Sequence, residues 1–313
     1  MLKLIKKEAP MRSPNRIHER STFFKYMSLN TGKIVLDTCS LRWSSPIIFN
    51  DPFDVPRELM PDINEINIGK ALASKLIQEL INPRENIEGL NHRITPLLDV
   101  FKKQFPQGIP AELIEELQGI LKNPPVGLGA PLAIQEMKEI WKELLNERRI
   151  LCFSESATIP PMWNHYADNY KGIVIEFDCI DFLDSAWLIA KPVNYTDQIP
   201  LTYTAEGMAE LLFLPDKQSI EYINTEVTFI KTKDWSYEKE WRISAYARPN
   251  DPKHFSDFKF HPLEIKSLVL GPLFEEKEID YVLMQLRNYP RAKVYKSSFN
   301  KNRKISIEPL PQT

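Results

Sequence analysis

Apolar residues recur along this chain with two different periods, and the change of period divides it. An aromatic run near the start, Phe23-Phe24-Lys25-Tyr26-Met27, is extended in character. A helical turn is expected around 33–37 and a second strand near 41–45. Between residues 55 and 148 the spacing becomes helical. Ile66, Ala73, Leu76, Ile77 and Leu80 predict a helix over 63–82. Pro110, at a favoured first-turn position, opens a second over 110–122. In the third, Ala133, Met137, Ile140, Trp141, Leu144 and Leu145 share one face, with glutamates, lysines and arginines opposite.

Beyond residue 148 the pattern changes. Residues 149–154 and 172–178 read as strands around a short helix over 160–170, and 187–195 as a further strand. Helices are predicted over 204–213 and 216–231 and an alternating strand over 239–247. The tail reads strand 265–270, helix 275–288, strand 292–298 and strand 304–308. Two groups of strands around a helical block predict an α+β fold. Its mixed or antiparallel sheet core comes from residues 20–54 and 149–309, with an α-helical insertion at 55–148 and a basic N-terminal segment at 1–19.

Composition narrows the class. Of 313 residues 43% are apolar and 26% charged, which excludes disordered, collagenous and disulfide-stapled proteins. No run approaches the roughly 18 apolar residues of a membrane span, and the lysines of the first ten residues flank no apolar stretch of a secretion signal. Three widely spaced cysteines, Cys39, Cys152 and Cys179, point to a reducing compartment and a cytoplasmic protein rather than a structural zinc site. The net charge of −2 is uneven: residues 1–20 hold six basic and two acidic side chains, and residues 291–304 hold six basic and none acidic. A basic tail of this kind meets nucleic acid or a nucleotide, or forms a solvated edge hairpin whose lysines discourage edge pairing. Gly127-Leu128-Gly129 lacks the third glycine and preceding strand of a phosphate loop, and neither a nucleophile elbow nor paired metal-ligand spacing occurs.

Three segments carry candidate chemistry. In Trp235-Ser236-Tyr237-Glu238-Lys239-Glu240-Trp241-Arg242-Ile243, strand alternation sends Trp241, Ile243 and Ala245 to the core and puts Glu238, Glu240 and Arg242 on the opposite face. Two carboxylates so placed are either an exposed charge ladder or an acid pair balanced by Arg242 and by a ligand or a cationic transition state. In Pro160-Pro161-Met162-Trp163-Asn164-His165-Tyr166-Ala167, the residues Trp163, His165 and Tyr166 wall a pocket for a flat heterocycle, or belong to a core helix with one satisfied histidine. His165 and Asp168 stand three apart, close enough to interact, and no second histidine at ligand spacing gives His165 a metal role. Ser44-Ser45-Pro46 precedes Asn50-Asp51-Pro52, a strong turn signal. Serines at that strand end could bond a ribose or phosphate. A magnesium-dependent nuclease using Glu238, Glu240 and Asp54 is a further reading.

Taken in order, FFKYMS, SSPIIFNDPFD, ILCFSES, PMWNHYADNYKGIVIEFD, YEKEWRI and LVLGPLF resemble the bacterial domain-of-unknown-function family numbered twenty-nine seventy-one, over residues 22–54 and 149–309. The layout of an aromatic-x-basic-Tyr strand, a helix, a serine-bearing strand and a late Glu-x-Glu strand is also similar to ADP-ribosyltransferases, which cleave NAD between ribose and nicotinamide. That resemblance implies that Lys25, with Tyr26 beside it, binds the adenosine-side ribose, that Ser44 or Ser45 holds the nicotinamide end, and that Glu240 or Glu238 contacts the ribose hydroxyl. A lysine replaces the usual first-strand His or Arg, and Ser-Ser-Pro the usual Ser-Thr-Ser. The implied protein is an NAD-dependent ADP-ribosyltransferase-like toxin or phage-defence effector with a nucleic-acid or protein acceptor. The alternative is a non-enzymatic nucleotide or nucleic-acid binding module.

Overall fold

In the computed structural model the described residues are 12–55, 57, 58, 60–83, 94–122 and 130–310. Residues 1–11 of the basic N-terminal segment and Gly127-Leu128-Gly129 lie outside them. The chain runs β1 (Thr22–Met27), α1 (Leu29–Thr38), β2 (Ser40–Ser44), α2 (Glu65–Ile81), α3 (Thr95–Gln104), α4 (Ala111–Leu121) and α5 (Ala130–Glu147). Then come β3 (Arg148–Ser154), α6 (Pro160–Tyr166), β4 (Ile173–Asp178), β5 (Lys191–Pro192), β6 (Asn194–Tyr195), α7 (Ala205–Leu212) and α8 (Asp216–Phe229). It closes with β7 (Ile230–Lys231), β8 (Glu240–Tyr246), β9 (Phe255–Lys259), β10 (Ile265–Leu270), α9 (Ile279–Leu286), β11 (Lys293–Phe299) and β12 (Ile305–Pro309). The fold is thus α+β with a mixed, mostly antiparallel sheet, as expected.

The chain divides into two compact units. One comprises residues 1–48, 148–195 and 231–313, and the other 49–147 and 196–230. The first holds a ten-stranded sheet in the order β12-β11-β10-β4-β1-β3-β2-β9, with β8 on β3 and β5 on β8. The β10–β11 pair is parallel. Strand β3 shares itself unevenly. It pairs with β8 over seven residues, but meets β1 only at Phe24↔Ser154 and β2 only at Ser44↔Ile150.

Alternation along β1 sends Phe23, Lys25 and Met27 to one face and Phe24 and Tyr26 to the other. Phe23 and Met27 join Leu151, Phe153, Phe177, Trp187 and Ile243 in the main core, which α1 and α9 cover with Val35, Leu36, Val282 and Leu286. The other face packs Tyr26, Val174 and Val269 against Trp163 of α6. The second unit is helical, with Ile63, Ile68, Ile134, Met137, Met208 and Leu211 in one cluster and Leu80, Ile94, Leu98 and Phe213 in another.

Several predicted elements differ. Residues 187–195 are not one strand: Ala186–Ile189 forms a 3-10 turn that seats the Trp187 ring against Phe153 and Phe177, and only two short strand pieces follow. Helix α6 stops at Tyr166 because Asp168, Asn169 and Tyr170 turn left-handed (φ 47°, 50° and 71°). Strand β9 and helix α3 are elements that the sequence reading does not assign. Pro110 caps α4 rather than entering it, and Ile140 of α5 is exposed while Ile134 and Met137 are buried. Residues 196–230, assigned to the sheet core from sequence, group with 49–147, since α7 packs Met208 and Leu211 onto the α2 cluster. The Asn50-Asp51-Pro52 turn forms as read, with Asp51 Oδ1 accepting from the Phe53 amide at 2.9 Å. The basic tail forms the β11–β12 hairpin, β12 being an edge strand of the sheet; Arg291 pairs with Asp178 and Lys296 with Glu276.

Candidate active site

A buried cluster of charge gathers where β8 begins. Lys233–Glu238 forms a 3-10 turn, and Lys239 ends it with a left-handed backbone (φ 47°) that hands the chain to β8 at Glu240. Glu238 therefore lies off the strand, contrary to the alternation argument. The corner nevertheless brings it beside Glu240, because one ammonium meets both. Lys231 Nζ donates to Glu238 Oε2 at 2.7 Å and to Glu240 Oε2 at 3.4 Å, so those oxygens are no more than 6.1 Å apart. Arg242 grips Glu240 with both arms of its fork, Nε to Oε1 and Nη2 to Oε2, each at 2.9 Å. Two carboxylates and two cations balance within the cluster. Glu238, Glu240 and Arg242 are 2%, 5% and 0% exposed, which overturns the reading of an exposed charge ladder.

Neighbouring elements close the arrangement. Tyr166 of α6 donates its hydroxyl to Glu238 Oε1 at 2.7 Å. Tyr195 of β6 accepts the Glu240 amide at 2.8 Å. Ser154 of β3 donates to the Glu238 carbonyl at 2.7 Å. Beside Arg242 on β3, Cys152 hydrogen-bonds the Glu240 carboxylate. Half-buried aromatics rim the cluster: the Trp235 ring lies 4.7 Å from Lys231 Nζ, 6.0 Å from Tyr237 and 6.4 Å from His165.

The two carboxylates are driven apart in protonation. Burial and the charge of Glu240 raise Glu238 above the ordinary glutamate range, against the pull of Lys231 and Tyr166. Burial also pushes Glu240 upward, but Arg242 and Lys231 overcome it and hold this carboxyl below that range. Burial raises the Cys152 thiol, with Glu240 adding to the effect, so this cysteine stays protonated.

Of the other sequence candidates, Lys25, Tyr26, the two serines and Trp163 separate from the acid pair, and His165 lies at its aromatic rim. Lys25 alternates onto the face of Phe23 and Met27, which Trp241 and Ile243 share, whereas Glu240 and Arg242 face the opposite way. Its ammonium donates to the Cys152 carbonyl at 2.7 Å. Tyr26 is a core residue, its ring 5.4 Å from Trp163 and its hydroxyl on the Ser156 carbonyl. Ser44 pairs opposite Ile150 while Glu240 pairs opposite Ser154. Four residues of strand amount to about 13 Å. Ser45 is fully buried, and its hydroxyl accepts the Ile47 amide in the turn that follows. Trp163 is likewise buried, its Nε1 bonded to the Ala157 carbonyl. His165 is exposed and lies against Tyr166 and Trp235. Among the described residues no group of three or more His, Cys, Asp or Glu side chains could hold a metal ion. No described helix is long and apolar enough to cross a membrane.

Residues 162–243 match the family model described as "Protein of unknown function (DUF2971)". The match bears out the family resemblance. The DUF2971 segment is narrower than the motifs that suggested it, yet it contains Tyr166, Tyr195, Lys231, Glu238, Glu240 and Arg242 and leaves out Lys25, Ser44 and Ser45. No curated protein and no solved structure gives a match. Sequence reasoning missed Lys231 and Tyr195. The available signal was charge balance: two buried acids with one arginine call for a second cation.

Proposed function

We propose that this DUF2971 protein is an enzyme acting on a glycosidic bond of a nucleotide, with NAD as substrate and a nucleic acid or protein as acceptor. One observation carries the reading: Glu238 and Glu240 share a single buried cluster, yet their protonation is driven in opposite directions. Environments that push two carboxylates apart assign them different tasks in catalysis. Glu240, fixed by the Arg242 fork, supplies a permanent negative charge near the oxocarbenium-like centre that forms as the bond between the ribose anomeric carbon and nicotinamide breaks. The bonding electrons leave with nicotinamide, which departs neutral. The acceptor's oxygen or nitrogen bonds to the anomeric carbon, and Glu238, whose raised affinity suits it to proton transfer, takes the acceptor's proton.

The aromatic rim of Trp235, Tyr237, His165 and Tyr166 supports a flat-ring ligand next to these acids. The ribose- and nicotinamide-holding roles given to Lys25 and to Ser44 or Ser45 draw no support from their positions, so the rim takes the binding role in this reading.

The test is incubation with labelled NAD, following nicotinamide release and label transfer to candidate nucleic-acid and protein acceptors. Glu240→Gln should slow release by about 10²–10³-fold, the cost of removing one group that stabilises transition-state charge. Wild-type protein that releases no nicotinamide with any acceptor overturns the proposal.

A further inference from the structure

Strand register links the acid pair to the basic hairpin on one face of the sheet. Glu240 stands opposite Ser154, Ser154 opposite Phe24, Phe24 opposite Glu176, Glu176 opposite Ser267 and Ser267 opposite Lys293. Residues paired across a sheet point the same way, and five strand spacings of about 4.8 Å put Lys293 about 24 Å from Glu240. The whole row lies within the sheet unit. Along it is a cavity of about 260 Å³, its lining including Phe24, Ser156, Thr158, Glu176, Tyr295 and Ile307. Clefts for drug-sized ligands begin at roughly 300 Å³, so this one suits a single flat ring, stacked on an aromatic and bonded at its edge by hydroxyls. Past the cavity, alternation along β11 puts Phe299 on the same face as Tyr295. The Phe299 ring is 55% exposed and lies 5.2 Å from Tyr170. The turn that follows is tied by Asn300, whose side chain accepts the Asn302 and Lys304 amides and donates to Ser306. Lys293, Lys301, Arg303 and Lys304 are all exposed, and none pairs with an acid among the described residues. The acids at the cavity are matched: Glu176 by Lys266 and Ser267, and Glu155 by Arg20 and Trp241. The unmatched charge beside these aromatics is therefore positive.

We propose that this face binds a single-stranded nucleic acid, its phosphates on Lys293, Lys301, Arg303 and Lys304, one base in the cavity beside Tyr295 and another on Phe299. Stacking on an aromatic side chain needs an unpaired base with an open ring face, which a single strand offers and a duplex does not. Lysines and an arginine on a solvent-facing hairpin supply the phosphate contacts that hold such a strand without reading its sequence. In the proposed reaction this strand is the acceptor, because the row that begins at Lys293 ends at Glu240. That role rests on the reaction; the binding is measured without NAD.

The experiment is fluorescence anisotropy of the full chain with a labelled oligo-thymidylate of about twelve nucleotides and with its duplex, between about 50 and 200 mM salt. The single strand should bind more tightly than the duplex. With four phosphates neutralised, the logarithm of its affinity should fall with the logarithm of salt at a slope of about −2.8. Lys301→Ala and Arg303→Ala should each make that slope shallower by about 0.7. Phe299→Ala and Tyr295→Leu remove a stacking ring and should weaken binding about 5–150-fold at every salt, with the slope unchanged. Circular dichroism checks that each variant is folded. Lys253→Ala, an exposed cation just before β9 at the opposite edge of the sheet, should leave binding as it is. A single strand that does not bind at low salt, a duplex bound as tightly, a slope unmoved by both charge variants, or two silent ring variants overturns the proposal. If the strand binds as described while NAD is not cleaved, the surface stands and only the assigned reaction falls. If nicotinamide is released but no strand binds, the reaction keeps a protein acceptor and the surface falls.

Discussion

Replacing Lys231 by Met tests whether the acid cluster is a balanced unit. Methionine keeps the length and apolar stem of lysine but removes the cation shared by Glu238 and Glu240. All three side chains are buried, so solvent cannot screen the loss. Removing one partner of a buried pair costs about 3–5 kcal/mol, since a charge is left without compensation. For a unit of 150–250 residues that is a fall in Tm of about 6–20 °C. The loss should depend on pH in a defined direction. Glu238 already binds its proton more tightly than an ordinary glutamate, through burial and the charge of Glu240, and losing Lys231 raises it further. A group raised in the folded state contributes stability that is full below its unfolded value and lost as pH rises through the folded value. The variant's deficit should therefore be larger at about pH 8 than at about pH 5. Adding Glu238→Gln to Lys231→Met removes the orphaned charge and should recover about half the loss or more. The assay is thermal unfolding by circular dichroism across that pH range. A deficit under about 1 kcal/mol, the level of an exposed pair, a deficit flat with pH, or a double variant no better than the single one refutes the reasoning.

Three shorter predictions follow from neighbouring contacts. Glu240 is held down to about 2 from an ordinary 4.5, its burial outweighed by Arg242 and Lys231. Its contribution to stability is full above the ordinary value and lost as pH falls towards 2, so Glu240→Gln should flatten the acid limb of a Tm–pH curve. Tyr166→Phe removes a 2.7 Å hydroxyl bond to Glu238; it should cost about 1.5 kcal/mol or more and move the Glu238 carboxyl still higher in a ¹³C titration. Gly271→Ala would place a Cβ against the Tyr170 carbonyl, which Leu273 also binds. A rigid backbone neighbour cannot yield cheaply, so a loss of about 1–3 kcal/mol in a denaturant titration is expected.

What the sequence revealed and what it hid follow from the range of the forces involved. Helices α2, α4 and α5 were readable because their apolar stripes repeat locally. The strands of the sheet's middle were readable as elements too. The failures lie where tertiary packing chose the backbone: the run 187–195 is apolar enough for a strand, yet Trp187 fills its place among Phe153, Phe177 and Phe260 only from a 3-10 turn. Similarly, Glu238 and Glu240 were correctly brought together for an incorrect reason. Alternation would have needed both on one strand, whereas a left-handed Lys239 folds a turn onto a strand end.

The misplacement of Lys25 and the serines has a different origin. Deciding which way Lys25 points requires knowing which face of β1 meets which layer, and Phe23, Phe24, Tyr26 and Met27 leave both faces apolar. A sheet covered on both sides erases the polar–apolar alternation that would reveal the answer. Chain order likewise says that β2 follows β1 but not at what level it sits. That level is set by β3, which meets β1 at Ser154 and β2 at Ile150, so the serine-bearing strand is offset along the sheet from the acids. Lys231 and Tyr195 reach the same acids from strands of two residues each, too short to carry a periodic signal, and 45 residues separate Tyr195 from Glu240. The acid pair is therefore a local feature of the sequence, while the groups that neutralise and orient it are a product of topology. A search for further members of this site should start from charge balance around Glu238 and Glu240 rather than from motif order.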